Sequence, residues 1–301
     1  MIYIEQIVNA LIIGSVYALM ALGLSLIFGV LRLVNFAHAQ AIMAGGLLYF
    51  YLATLVPVES SLWLPAALLA STPVLFAFGV LLERGFLRPA YRETVARFEE
   101  YVILMTFALG LFLQNVALPL FGPYHRQPPA IFKSQVRLGE LIVPGDRLTA
   151  ALLSVVIIAA LLLFLHRTFP GKGLRAVAQS PEAASMSGIN VARTRTMAFG
   201  LGITLTGLAG GLLGPVFLVS PTMGEPFAVK AFVIVVLGGM GSIGGSIIGA
   251  FLLALVESLG TVAIPDMSRA LAYKDAYGLL LLIIVLLVRP QGILGIKERR
   301  A

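Results

Sequence analysis

A chain of 301 residues with 59% hydrophobic residues, 12% charged residues and a mean hydropathy of +0.99 is too apolar for a water-soluble domain, in which about a quarter of residues carry charge. The net charge of +7 reads as the Lys and Arg surplus of loops on one side of a membrane, not as a nucleic-acid footprint. The lack of cysteine excludes a disulfide framework, thiol chemistry and a cysteine-based metal site.

Apolar runs close to the roughly 20 residues needed to cross a bilayer recur along the chain, where a β-barrel would instead alternate in segments of about ten. The expected fold is an all-α polytopic membrane protein, a single transmembrane domain over residues 1–301 with about eight or nine membrane segments. The first run spans 7–30; with no basic leader or small-residue cleavage site before it, it is read as a retained helix. Arg32 interrupts, and Asn35, His38 and Gln40 cluster at the start of a second run that reaches Val56. After a turn at Pro57 and Ser60, a third run covers 62–82. It ends in a charged loop, 83–100, holding Arg84, Arg88, Arg92 and Arg97. The fourth covers 101–121 and contains Gln114 and Asn115.

Four prolines between Gly122 and Arg147 predict an irregular connection. A fifth run, 148–165, leads into a polar interval, 171–195, that carries Lys172, Arg175, Arg193 and Arg195 and is able to hold a short amphipathic helix. A sixth run covers 196–219. A seventh apolar region, 227–259, is too long for one ordinary span and is broken by Gly238, Gly239, Gly241, Gly244 and Gly245. It reads as two short helices or a re-entrant pair, because each glycine costs a helix about 1 kcal/mol relative to alanine. A loop with Pro265, Asp266, Arg269, Lys274 and Asp275 precedes the last run, 276–288, and a basic tail with Arg289, Lys297, Arg299 and Arg300.

Placing Arg32, 83–100, 167–195 and the tail in the cytoplasm puts 14 of the 21 basic residues there, with the C-terminus inside and the N-terminus outside. A weak echo between 30–46 and 236–249, each a break before a small-residue helix, reads either as a structural repeat or as chance likeness of two apolar segments.

The Gly-x-x-x-Gly pairs 207/211, 210/214, 241/245 and 245/249 fit close internal helix packing, or a subunit seam. Non-helical backbone at Gly238–Gly245 survives at membrane depth only where protein or a wet cavity satisfies it. Glu257 lies in an apolar run and is expected to face protein, a cavity or the outer interface, since a carboxylate at the bilayer centre costs about 2.5–3.5 kcal/mol. Asn35 and His38 read as interhelical hydrogen-bonding or capping groups, or as lining of a solute path. No phosphate-binding loop, His-Glu-x-x-His or Gly-x-Ser-x-Gly signature is present, so the chain reads as a non-enzyme that does not itself hydrolyse ATP.

Glu182-Ala183-Ala184 followed by Gly188 resembles the first half of the cytoplasmic loop motif of ABC-importer permeases, without its distal half. Four stretches make the chain similar to LivH-type permeases of branched-chain amino acid importers. They are Ile27 to His38, Leu174 to Gln179 running into Ser187 to Val191, Val236 to Ile243, and Arg289-Pro290-Gln291-Gly292. Ala39 departs from the glycine common after that histidine. The resemblance implies an inner-membrane importer core with a LivM-type second permease, two cytoplasmic ATP-binding subunits, and a periplasmic or lipid-anchored binding protein. ATP and Mg would sit on the partner subunits, with no cofactor on this chain. It also implies that 167–195 is the coupling segment, with Glu182, Ala183, Ala184 and Gly188 at the contact. The same architecture serves urea, amides and small carboxylates. A secondary transporter using Glu257 for ion coupling is the reading from another class.

Overall fold

A computed structural model describes residues 2–55, 63–90, 98–132, 134–138, 141–263, 270 and 273–295. The turn at Pro57 and Ser60, Arg92 and Arg97, the loop with Pro265, Asp266 and Arg269, and the tail from Lys297 lie outside these residues.

Helices α1 (Ile2–Leu31), α2 (His38–Thr54) and α3 (Trp63–Leu82) come first. A π turn, Glu83–Leu87, carries α3 into the short α4 (Arg88–Ala90). Next come α5 (Phe98–Phe121), a hairpin of β1 (Gln135–Leu138) and β2 (Leu141–Pro144), and α6 (Gly145–Arg167). The rest is α7 (Phe169–Gln179), α8 (Pro181–Met186), α9 (Val191–Phe217), α10 (Gly224–Gly238), α11 (Ile243–Ala263) and α12 (Lys274–Val288). Among the described residues six helices are long and apolar enough to span a membrane: α1, α3 with its π turn, α5, α6, α9 and α11. The chain is thus an all-α polytopic membrane protein. The connection after Gly122 is more regular than its prolines predict. Val136 faces Val143 and Arg137 faces Ile142 in an antiparallel pair, and Pro144 falls at the end of its strand, where its missing N–H does least harm.

Helices α1 and α9 form the axis of the fold. Their apolar windows are 83% and 89% buried, against 28–44% for the other four spans, as expected of helices that are apolar all round. Small residues allow the approach. A Cβ on Gly45 of α2 would fall onto the backbone of Gly207 in α9, and one on Gly210 would meet the backbone of Ile42. The glycine pairs of α9 are therefore internal packing.

The two ends of the bundle differ. One holds the hairpin: Arg147 at the start of α6 donates to Asn9 of α1 (3.1 Å), and Arg126 bridges to Val219 while its guanidinium lies 5.4 Å over Phe50 and Tyr51. The other holds Arg32, α7 and α8, and the turn between α10 and α11, where Gly241 abuts Gly29.

An inverted repeat organises the centre. Helix α1 runs from the hairpin end to the opposite end and stops before Arg32, whose φ is 53°; six residues later the short α2 starts back. Helix α9 runs the other way and stops before Leu218, whose φ is 66°; six residues later the short α10 starts back. These are the only non-glycine residues with positive φ among those described. The two short helices meet near their N-termini, where Gly224 packs on the backbone of Ala39.

Candidate functional site

The polar interval forms two helices, α7 and α8, rather than one. Each start is fixed locally. Thr168 Oγ1 accepts from Gly171 N–H (3.1 Å), Ser180 Oγ accepts from Ala183 N–H (3.2 Å), and Asn190 Oδ1 accepts from Arg193 N–H (3.0 Å). Proline in the first turn of α7 and α8 costs no hydrogen bond there. Helix α8 closes at Gly188, whose φ of 82° lets Ile189 N–H reach Ala184 O (3.0 Å) while Gly188 N–H reaches Ser185 O (3.0 Å). The spacing from Glu182 to Gly188 is thus that of a two-turn helix between its N-cap and its left-handed terminator.

Ala184 is the buried member of the motif; Glu182 and Ala183 are exposed. Hydrogen bonding to its own backbone N–H and to the Ser180 hydroxyl holds the Glu182 carboxyl below its ordinary range, with smaller help from Arg32 and Arg195. Leu174 and Val177 anchor α7 in the core, whereas Phe169 is 83% and Met186 91% exposed. These two large apolar side chains standing free beside Lys172 and Arg175 were not singled out in the sequence.

Asn35 and His38 come together, but inside the packing. His38 is fully buried, with Thr206 Oγ1 of α9 3.4 Å from Nε2 and 3.5 Å from Nδ1. Asn35 Oδ1 accepts from Ala37 N–H (3.0 Å), and its Nδ2 has no partner. The non-helical segment between α1 and α2 is held from α5: Phe36 N–H donates to Thr106 Oγ1 (3.2 Å) and Gln40 Nε2 to Gly110 O (2.8 Å).

The glycine stretch separates α10 from α11 by a turn at 239–242, with φ of 101° at Gly239 and 81° at Gly241. Gly238 stacks on the backbone of Gly245, and Gly244 faces Leu294. The carbonyls of Leu237 and Gly238 accept from Ile293 N–H (2.9 Å) and Leu294 N–H (3.0 Å). Protein satisfies this backbone, and it is the segment beginning Arg289-Pro290-Gln291-Gly292 that does so.

Glu257 is 1% exposed and belongs to a charge cluster. Lys230 of α10 bonds both Glu257 and Asp275 (2.6 Å to Asp275), Lys274 lies 3.6 Å from Glu257, and Tyr17 of α1 donates to it (3.2 Å). Lys230 was the missed signal, an ammonium in an apolar run with a carboxylate elsewhere in the membrane to neutralise it. The cluster borders a cleft of about 120 Å³ between α10, α11 and α12. A second polar pair lies nearby, with Gln114 of α5 donating to Glu225 at the start of α10 (2.6 Å). The Glu182-to-Gly188 turn of α8, the Asn35–His38 segment, the glycine turn and Glu257 are four separate places in the fold.

Against known proteins, residues 6–288 match the family described as branched-chain amino acid transport system / permease component. The chain is 31% identical to the high-affinity branched-chain amino acid transport system permease protein BraD of Pseudomonas aeruginosa, over 98% of this chain and 97% of that protein. It is 31% identical to the corresponding protein LivH of Escherichia coli K12, over 98% and 96%. It is 27% identical to the probable branched-chain amino acid transport permease protein LivH of Methanocaldococcus jannaschii, over 97% and 92%.

Proposed function

We propose that this chain, which belongs to the branched-chain amino acid transport permease family, is the membrane subunit through which an ATP-driven importer moves branched-chain amino acids. The observation that carries this reading is the family match along nearly the whole chain, on a bundle with six span-length helices. Its relatives are permease components of transport systems, and the chain is a transport subunit of the same kind.

In this reading α2, α10 and α12 join the six span-length helices as shorter membrane segments, nine in all, with the glycine turn at the membrane surface. The end with Arg32, α7 and α8 faces the cytoplasm of a bacterial inner membrane, and the N-terminus lies outside. Exposed Glu182, Ala183, Met186 and Phe169 meet one of two ATP-binding subunits, and Gly188 fixes the end of the helix that presents them. A LivM-type permease completes the pore, and a binding protein delivers the solute at the hairpin end. ATP and Mg belong to the ATPase partners. Pairing of Glu257 with Lys230 and Lys274 supports a charge-compensating role for it rather than ion coupling.

The test is uptake of labelled leucine by proteoliposomes containing the complex recovered with this chain in mild detergent, plus its binding protein. Uptake that needs ATP and survives collapse of ion gradients is the expected result. Uptake by this chain alone, stopped by collapsing an ion gradient, would sink the reading.

A further inference from the structure

Glu225 is a carboxylate whose only lysine neighbour along α10, Lys230, is already committed to Glu257 and Asp275. It is exposed in the first turn of α10, its only side-chain contact of a polar kind is the Gln114 amide, and no lysine or arginine among the described residues pairs with it. Yet it lies within the apolar layer. Two residues on, Phe227 packs edge-on against Tyr17 (6.4 Å), and Tyr17 is midway along α1. Gln114 sits seven residues before the end of α5, about 10 Å at 1.5 Å per residue. Lipid does not solvate a carboxylate at that depth, so this face does not meet hydrocarbon. A dry seam between subunits would need a matching cation from the partner, since a buried charge without one is costly. A wetted path keeps the group hydrated until a solute cation replaces the water.

The surroundings define the solute. Pro226 and Val229 share the exposed face of α10 with Glu225. Gln114 of α5 holds it on one side, and the neighbouring Pro226 and Val229 border the cleft with Lys230 and Asp275. Resting on the importer reading above, we propose that this face of α10 is the chain's wall of the transport path and that Glu225 takes the ammonium group of a passing amino acid. Gln114 holds the carboxylate in place by an amide N–H that leaves its charge intact, and Pro226 and Val229 meet the apolar side chain.

The natural chain has no cysteine, so single-cysteine variants at Glu225, Val229 and, as a lipid-facing control, Leu152 of α6 need no prior engineering. In the intact complex, a membrane-impermeant thiol reagent should modify positions 225 and 229 and leave 152 untouched. Glu225→Gln should lower leucine uptake about tenfold, as expected for losing a hydrogen bond to a charged group, and Glu225→Asp should restore most of it. Unreactive cysteines at 225 and 229, or their crosslinking to the second permease, would place this face in a subunit seam and overturn the assignment. Uptake unchanged in Glu225→Gln would overturn it equally. If the wild-type complex moves no amino acid, the importer reading fails, while the labelling still decides whether α10 lines an aqueous path.

Discussion

Lys230 and Glu257 illustrate how single charges survive in this bundle. Glu257 alone would be an uncompensated buried carboxylate; with Lys230, Lys274 and the Tyr17 hydroxyl around it, its charge is matched and its lone pairs are occupied. Replacing Lys230 by Met removes one partner only and is expected to destabilise the protein by about 3–5 kcal/mol. The double variant Lys230→Met/Glu257→Met should recover most of that loss. Thermal unfolding of the detergent-purified protein checks both. At the other end, Glu182 is held below its ordinary carboxylate range in the folded chain. Its contribution to α8 is therefore present above the unfolded-state pKa and is lost only as pH falls through the lowered folded-state value. Ser180→Ala removes both the N-cap and the hydroxyl donor, so the Glu182 titration should move up in pH, and α8 should lose about 1 kcal/mol. A carboxyl-selective NMR titration measures the shift.

Between elements, contact distance sets the tolerance. Where α2 crosses α9, Gly45 lies against the backbone of Gly207, which has no rotamer to yield; Gly85 has nothing within 4 Å of the place a Cβ would occupy. Gly45→Ala should cost about 1–3 kcal/mol or more, and Gly85→Ala should be near neutral by the same unfolding measurement. The segment after α12 acts as the cap of α10. Gly292, with φ of 80°, turns it so that Ile293 and Leu294 reach the carbonyls of Leu237 and Gly238. Gly292→Ala is strained at that φ and presses on Gly239, so the segment should detach, at a loss of about 0.5–1.5 kcal/mol for each hydrogen bond given up. Faster hydrogen exchange at Ile293 and Leu294, with the α1 core unchanged, is the expected readout.

For the whole molecule, the inverted pair α1–α2 and α9–α10 places two short helices head to head within the apolar layer and leaves one face of α10 uncovered. The segment of α7 and α8 hangs at one end of the same frame, since α7 is anchored by Leu174 and Val177 while α8 is held by Ala184. Bulky substitutions at Glu182 and Gly188 are expected to weaken ATPase association and uptake without altering thermal unfolding of the membrane helices. ATPase recovery in a pull-down, measured beside the unfolding midpoint, checks this.

Membrane class, the long spans and the helix-forming polar interval 171–195 were legible before any contact was known, because each depends on composition or on neighbours within a few residues. Apolar run length and the polarity of 171–195 are of this kind. The mates of Glu257 and of the glycine turn were not legible. Lys230 is 27 residues from Glu257, and Ile293 is 56 from Leu237, so only folding brings them together. The same holds for the enclosure of Asn35 and His38 and for the exposure of Glu225. Local propensity fixes what a segment is, whereas charge pairing, burial and access to water are properties of the neighbours that packing supplies.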